Sequence, residues 1–204
     1  MVSNFRGRRY GEHFKEMRTC EAVGCANTDS AILLMMNGVT DVSPSLGALA
    51  ATHGILTAAV SRLRLRSGCR EVISKMREDG VRIALVSGGI DFFLKKLWPA
   101  CTEIFDRCYW NELLFAKDGW LRDVIPTKYD FQGKRLAVEQ MQMEFGVAKE
   151  RTLFLGKGFN DEYVVSSVGR AVTFASAPQG TRELFHARIS DSDFSAILDH
   201  VYMR

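Results

Sequence analysis

From residue 68 to the C-terminus, short β-rich apolar runs alternate with segments whose apolar residues recur at helical spacing, and no other feature constrains the fold as tightly. "CREVISKMRE" has apolar residues at 72, 73 and 76, the buried face of one helix, and Asp79-Gly80 stops it. "VRIALVS" is a continuous run of the kind buried on both faces in a parallel sheet. "DFFLKKLW" reads as the next helix, ended by Pro99. "EIFDRCYWNELLF" holds a strand, "AKDGW" a hairpin turn, and "GKRLAVEQMQMEFGV" an amphipathic helix. "TLFLG" and "AVTFA" are short buried strands with a helix, "DEYVVSSVG", between them, and "FSAILDHVYM" closes the chain as a helix. The fold class this implies is α/β, a doubly wound, Rossmann-like parallel sheet. Residues 11–67 read as mostly helical, with "SPSLGALAATHGI" offering a Ser/Pro helix start and "LTAAVSRLRL" a second amphipathic stretch. The division expected is an α/β core from residues 1–10 and 68–204, with a small helical insertion at 11–67.

Composition excludes several classes. Of 204 residues 47% are hydrophobic and 25% charged, enough to bury a core in a soluble chain. A net charge of +3 does not argue for nucleic acid, and Arg6, Arg8 and Arg9 read as a solvated basic tail. The longest apolar run, "SAILLMM", is far too short to span a bilayer. Five cysteines, at 20, 25, 69, 101 and 108, form no CxxC pair and follow no signal peptide, so reduced thiols in a cytoplasm are expected. Cys20 and Cys25 with His13 fall short of a four-ligand zinc site.

Ligands of doubly wound sheets bind at the carboxyl ends of the strands. That rule selects "LVSGGID", where Ser87, Gly88 and Gly89 end a strand, and "GKGFNDE", residues 156–162. A serine hydroxyl beside the next backbone N–H groups can cradle a phosphate. Lys134, at the start of a helix in "YDFQGKRLAVEQM", can neutralise a phosphoryl oxygen. Each piece alone is weak; their order and spacing carry the reading.

In that order and at that spacing, Ser87-Gly88-Gly89, Lys134 and Gly156-Lys157-Gly158-Phe159-Asn160-Asp161 resemble the second, third and fourth motifs of the haloacid dehalogenase superfamily, in its phosphoserine-phosphatase-like branch. The helical segment 11–67 is similar to that family's cap, and "LLMMNGVTDVSPSL" to the cap segment with Met-x-Gly and then Ser-Leu. The resemblance implies a magnesium-dependent phosphatase. Its first motif, Asp-x-Asp-x-Thr or Ser, supplies an aspartate nucleophile that becomes an aspartyl-phosphate and an aspartate general acid and base. Magnesium is held by the first aspartate, a main-chain carbonyl and the first aspartate of the fourth motif.

The chain departs from that pattern at charged positions. The preferred register puts the first motif at "NFRGR", with Asn4 for the nucleophile and Arg6 for the general acid. A carboxamide does not form the acyl phosphate in the normal way, and arginine does not shuttle a proton near neutral pH. A rival register makes "AILLMMNGVTDV" the worn motif, with Met35 and Asn37 at the aspartate positions. The one Asp-x-Asp string, "DSDFS" at 191–195, reads as a helix cap by Asp193 or Ser192. Lys157 stands where the resemblance implies a magnesium-ligating aspartate, a swap of two charge units that repels a divalent metal. Asp161 remains and is a candidate partner for Lys157. By the same resemblance the substrate-binding cap arginine and phenylalanine are matched by Leu49 and Val42, and the cap glutamate, loosely, by Glu12 or Glu16.

The expectation is therefore a degenerate phosphatase-like protein with no intact catalytic residues, expected to need no cofactor. Ser87, Gly88, Gly89, Lys134 and Lys157, with Arg6 beside them, would bind the phosphate, supported by Gly158, Asn160 and Asp161. Its partners would be a phosphorylated or anionic small molecule or another protein, with no nucleic acid and no membrane. The alternative is an active hydrolase of a small phosphomonoester, for example one whose natural chain starts upstream, or a fold reused for another reaction in a metal-free basic pocket.

Overall fold

The computed structural model describes residues 53–61 and 63–202. Two three-stranded sheets organise them, in the orders β1-β2-β3 and β4-β5-β6. In the first, β1 (Ala84–Ile90) pairs parallel with β2 (Arg107–Phe115), which turns back as an antiparallel hairpin into β3 (Leu121–Ile125). In the second, β4 (Leu153–Leu155), β5 (Arg170–Phe174) and β6 (Ala187–Ile189) are all parallel.

Helices fall where the apolar spacing puts them. Helix α1 (His53–Val60) leads to α2 (Cys69–Glu78), which buries Cys69, Val72, Ile73 and Met76 and stops at Asp79. Helix α3 (Asp91–Leu97) follows β1, and the one-turn α4 (Cys101–Ile104) precedes β2. The long α5 (Gln132–Phe145) crosses back to β4. A 3-10 turn (Phe159–Asp161) and α6 (Glu162–Val165) link β4 to β5, α7 (Gln179–Leu184) links β5 to β6, and α8 (Ile197–Val201) ends the described chain.

Both faces of the second sheet are covered, and four of the five β5 residues are buried. The main core lies on one face, where Val72, Ile73, Phe92, Leu94 and Trp98 meet Val172, Phe174 and Ile189. A smaller cluster of Val138, Val164, Val168, Ala171 and Phe185 lies apart from it, between α5, α6 and β5. Helices on the two faces of a parallel sheet are the doubly wound α/β arrangement expected from the alternation.

Several boundaries differ from the sequence reading. Strand β1 starts at Ala84 and runs through the glycines to Ile90, instead of spanning 81–87 and ending in a turn. Only Glu162–Val165 of "DEYVVSSVG" is α-helical. The sequence reading passed over α7 and β6, which are short and carry little periodic signal. Helix α1 crosses the expected boundary between "SPSLGALAATHGI" and "LTAAVSRLRL". It lies within the expected insertion 11–67, yet Leu56 and Val60 belong to the main core and the His53 ring meets Phe92 and Phe115 edge-on at 5.1 and 5.4 Å. Asp193 caps the final turn, its Oδ1 accepting the Ser195 N–H at 2.9 Å, so "DSDFS" has the capping role read for it.

Candidate anion site at the strand ends

Ser87, Gly88 and Gly89 form a bulge within β1. Val86 faces Tyr109 and Ile90 faces Asn111, so residues 86–90 of β1 span only 109–111 of β2. Ser87 is fully buried, and its Oγ accepts the Gly89 N–H at 2.9 Å. The hydroxyl and a following N–H do meet, as the sequence reading supposed, but bonded to each other across a bulge. Asn111 pins the bulge: its Nδ2 donates to the Gly88 carbonyl at 2.6 Å, and its Oδ1 accepts the Thr127 N–H at 2.8 Å.

Gly88 leaves no room for a Cβ unless a residue the sequence reading passed over shifts. A Cβ there would lie 2.3 Å from Asp130 Oδ2, so the carboxylate rests directly on the backbone. Asp130 Oδ1 accepts the Phe131 N–H at 2.8 Å and the Asn160 Nδ2 at 3.1 Å. One carboxylate therefore ties the β1 bulge, the start of α5 and the turn after β4. Asn160 is itself buried, and its side-chain oxygen, Oδ1, has no hydrogen-bond partner.

Lys134 and Asp161 meet below this layer. Lys134, in the first turn of α5, puts Nζ 2.6 Å from Asp161 Oδ1, and neither side chain reaches solvent. Asp161 Oδ2 accepts the backbone N–H groups of Lys157 and Gly158, each at 2.8 Å. Gly156 makes room, since a Cβ there would sit 2.5 Å from the same oxygen. This corrects the expected Lys157–Asp161 ion pair: Asp161 holds Lys157 by its main chain and spends its charge on Lys134.

A second cluster stands at the ends of β5 and β6. Arg66 is buried, lies 3.9 Å over the Phe174 ring, and donates to the carbonyl and the Oδ1 of Asp191. The Asp191 carboxylate also takes the N–H and the hydroxyl of Ser176. Burial pushes its pKa up, but the Ser176 bonds, with Arg66 and then Lys157 nearby, outweigh this and hold the carboxyl below its ordinary value. Lys157 thus lies within electrostatic range of an acidic group other than Asp161.

Among the described residues no group of three or more His, Cys, Asp and Glu is placed to hold a metal ion. Asn4, Arg6, Glu12, His13, Glu16, Cys20, Cys25, Met35, Asn37, Val42 and Leu49 all lie outside the described residues. No helix among the described residues is long and apolar enough to cross a membrane. Sequence reasoning named Ser87, Gly88, Gly89, Lys134, Lys157, Gly158, Asn160 and Asp161, and the fold brings the last five and Gly88 into one connected set with Asp130 and Asn111. Neither of those two carries a signal in the sequence that separates it from an ordinary surface polar residue.

Comparison with known proteins bears on this arrangement. No family model matches the chain. It is 31% identical over 170 residues to the phosphoserine phosphatase SerB2 of Mycobacterium tuberculosis, covering 80% of this chain and 40% of that protein. It is 28% identical over 120 residues to a phosphoserine phosphatase of Archaeoglobus fulgidus, covering 59% and 34%, and 26% identical over 148 residues to that of Idiomarina loihiensis, covering 70% and 66%. The chain thus spans between 34% and 66% of the length of these relatives. In fold it is similar to a substrate-bound phosphoserine phosphatase structure, with a TM-score of 0.67, 24% identity, and coverage of 93% of this chain and 85% of that one. With its strand-end motifs gathered as described, the chain belongs to the haloacid dehalogenase superfamily, in its phosphoserine-phosphatase-like branch.

Proposed function

We propose that the chain is a degenerate phosphatase-like protein whose site binds a phosphorylated or otherwise anionic small metabolite without magnesium. The observation that carries this reading is the commitment of Asp161, whose two oxygens are taken by Lys134 and by two backbone N–H groups, beside a lysine at position 157. A magnesium ion needs several oxygen ligands in near-octahedral array. Lys157 offers none, and Asp130 Oδ1 is already engaged by two N–H donors. This donor set does not fit the metal that the family uses. Lys157, the bulged Gly88 backbone and Ser87 suit an anion instead. The orphaned Asn160 Oδ1 adds an acceptor for a donor on the ligand or on an ordered water.

In the preferred register Asn4 and Arg6 stand at the two first-motif aspartate positions, and in the rival one Met35 and Asn37 do; neither supplies a carboxylate nucleophile, which supports loss of the aspartyl-phosphate route. The second reading, an active phosphomonoester hydrolase, is favoured by the buried Ser87 and Lys134. A protein partner at the same site is a further outcome. Free thiols at Cys69, Cys101 and Cys108 fit a reducing cytoplasm.

The experiment is phosphate release from a panel of small phosphomonoesters, with and without magnesium, beside Ser87→Ala. The proposal expects no release above that of the variant. Magnesium-dependent release lost in Ser87→Ala would establish the second reading.

A further inference from the structure

Two aromatic rings flank the network just described. Phe159 stands inside the turn that carries Asn160 and Asp161, and it is 42% exposed. Phe131 follows Asp130 directly, and its backbone sits at φ 46°, ψ −121°. Among the described residues it is the one non-glycine residue with positive φ, a strained conformation for a bulky side chain. The two rings are 5.7 Å apart and tilted by 58°. Their neighbours Asp130 and Asn160 are hydrogen-bonded to each other, and Asp130 lies on Gly88. Through these chain neighbours the pair is tied to the bulge and to the turn after β4.

We infer that Phe131 and Phe159 select the organic part of the ligand: an anionic group, such as a phosphate ester, joined to a flat aromatic or heteroaromatic body. This rests on the anion-binding reading above and adds the class of ligand to it. The exposed Phe159 ring, already tilted against one aromatic ring, can take a further ring at an angle of the kind aromatic groups prefer. The Phe131 backbone, directly after Asp130, holds angles that glycine would adopt without strain.

The test is calorimetric titration of the full 204-residue chain with phenyl phosphate and with inorganic phosphate. The wild type, Phe159→Ala and Phe131→Gly are compared, with folding of each checked by thermal melt. Glycine accepts the Phe131 backbone angles, so that variant removes a ring without adding strain. The wild type should bind phenyl phosphate roughly tenfold more tightly than inorganic phosphate, and the ratio should fall toward one in both variants. A wild type that binds both ligands equally, or a preference that survives in both variants, overturns the inference and leaves the anion site standing. A wild type that binds neither ligand overturns the anion site as well.

Discussion

Lys134 Nζ donates to Asp161 Oδ1 at 2.6 Å between two side chains with no exposed surface, so the third and fourth motif segments are joined by one fully buried ion pair. Such a pair adds little net stability over apolar residues of the same size, but removing one partner strands the other. Lys134→Met should lower stability by about 3–5 kcal/mol, because Asp161 keeps only its two N–H donors. The double change Lys134→Met with Asp161→Leu should cost less than the sum of the two single changes. Urea melts of the four proteins read this coupling, and strict additivity would contradict it.

The contact between Asp130 and Gly88 makes a second prediction. Gly88→Ala places a methyl group about where the Asp130 carboxylate lies and should cost about 1–3 kcal/mol. In an Asp130→Ala background the added cost should shrink markedly. Equal costs in both backgrounds, measured by denaturant midpoints, would mean that the close approach does not exist.

Asp191 sets an acid limb of stability. Its carboxyl is held below the ordinary 3.8, so the unfolded chain binds that proton more tightly than the folded one. The stabilisation is fully present above the unfolded value and is lost as pH falls through the lower folded value. Asp191→Asn should destabilise the protein at pH 7 by about 2–4 kcal/mol, because buried Arg66 loses its counter-charge. The variant should also show a flatter stability profile below pH 4. An unchanged acid limb would assign it to other carboxylates.

The three described thiols should be poor nucleophiles. Burial pushes Cys69 and Cys108 up to about 12 and raises Cys101. Alkylation of the native protein at pH 8, mapped by mass spectrometry, should leave all three unmodified over times that fully modify the denatured chain. Rapid labelling of any of them would mean that its burial is transient.

The long-period features of this fold were legible before the structure. Helices α2 and α5 follow from apolar spacing over several turns, and β4 and β5 from apolar runs bounded by glycine or polar residues. Features made by tertiary contact were not. The bulge at Ser87 depends on pairing with β2, and strand β6 has Arg188 between Ala187 and Ile189 instead of an unbroken apolar run. Arg66 meets Asp191 across 125 positions of sequence. Asp161 was read as a partner for its neighbour Lys157, yet the fold delivers Lys134 from 27 positions away into a site closed to water. Asp130 looks like any helix-flanking aspartate until β1 is laid against it. Local composition cannot say which of 24 acidic residues a distant glycine will meet.

The central claim is a metal-free anion site, and titrating inorganic phosphate into the protein with and without magnesium tests it most directly. The account predicts binding of equal affinity in both conditions, weakened at least tenfold in Lys157→Ala by loss of a charge-assisted contact. Phosphate binding that requires magnesium, or magnesium binding on its own at ordinary affinity, would contradict it.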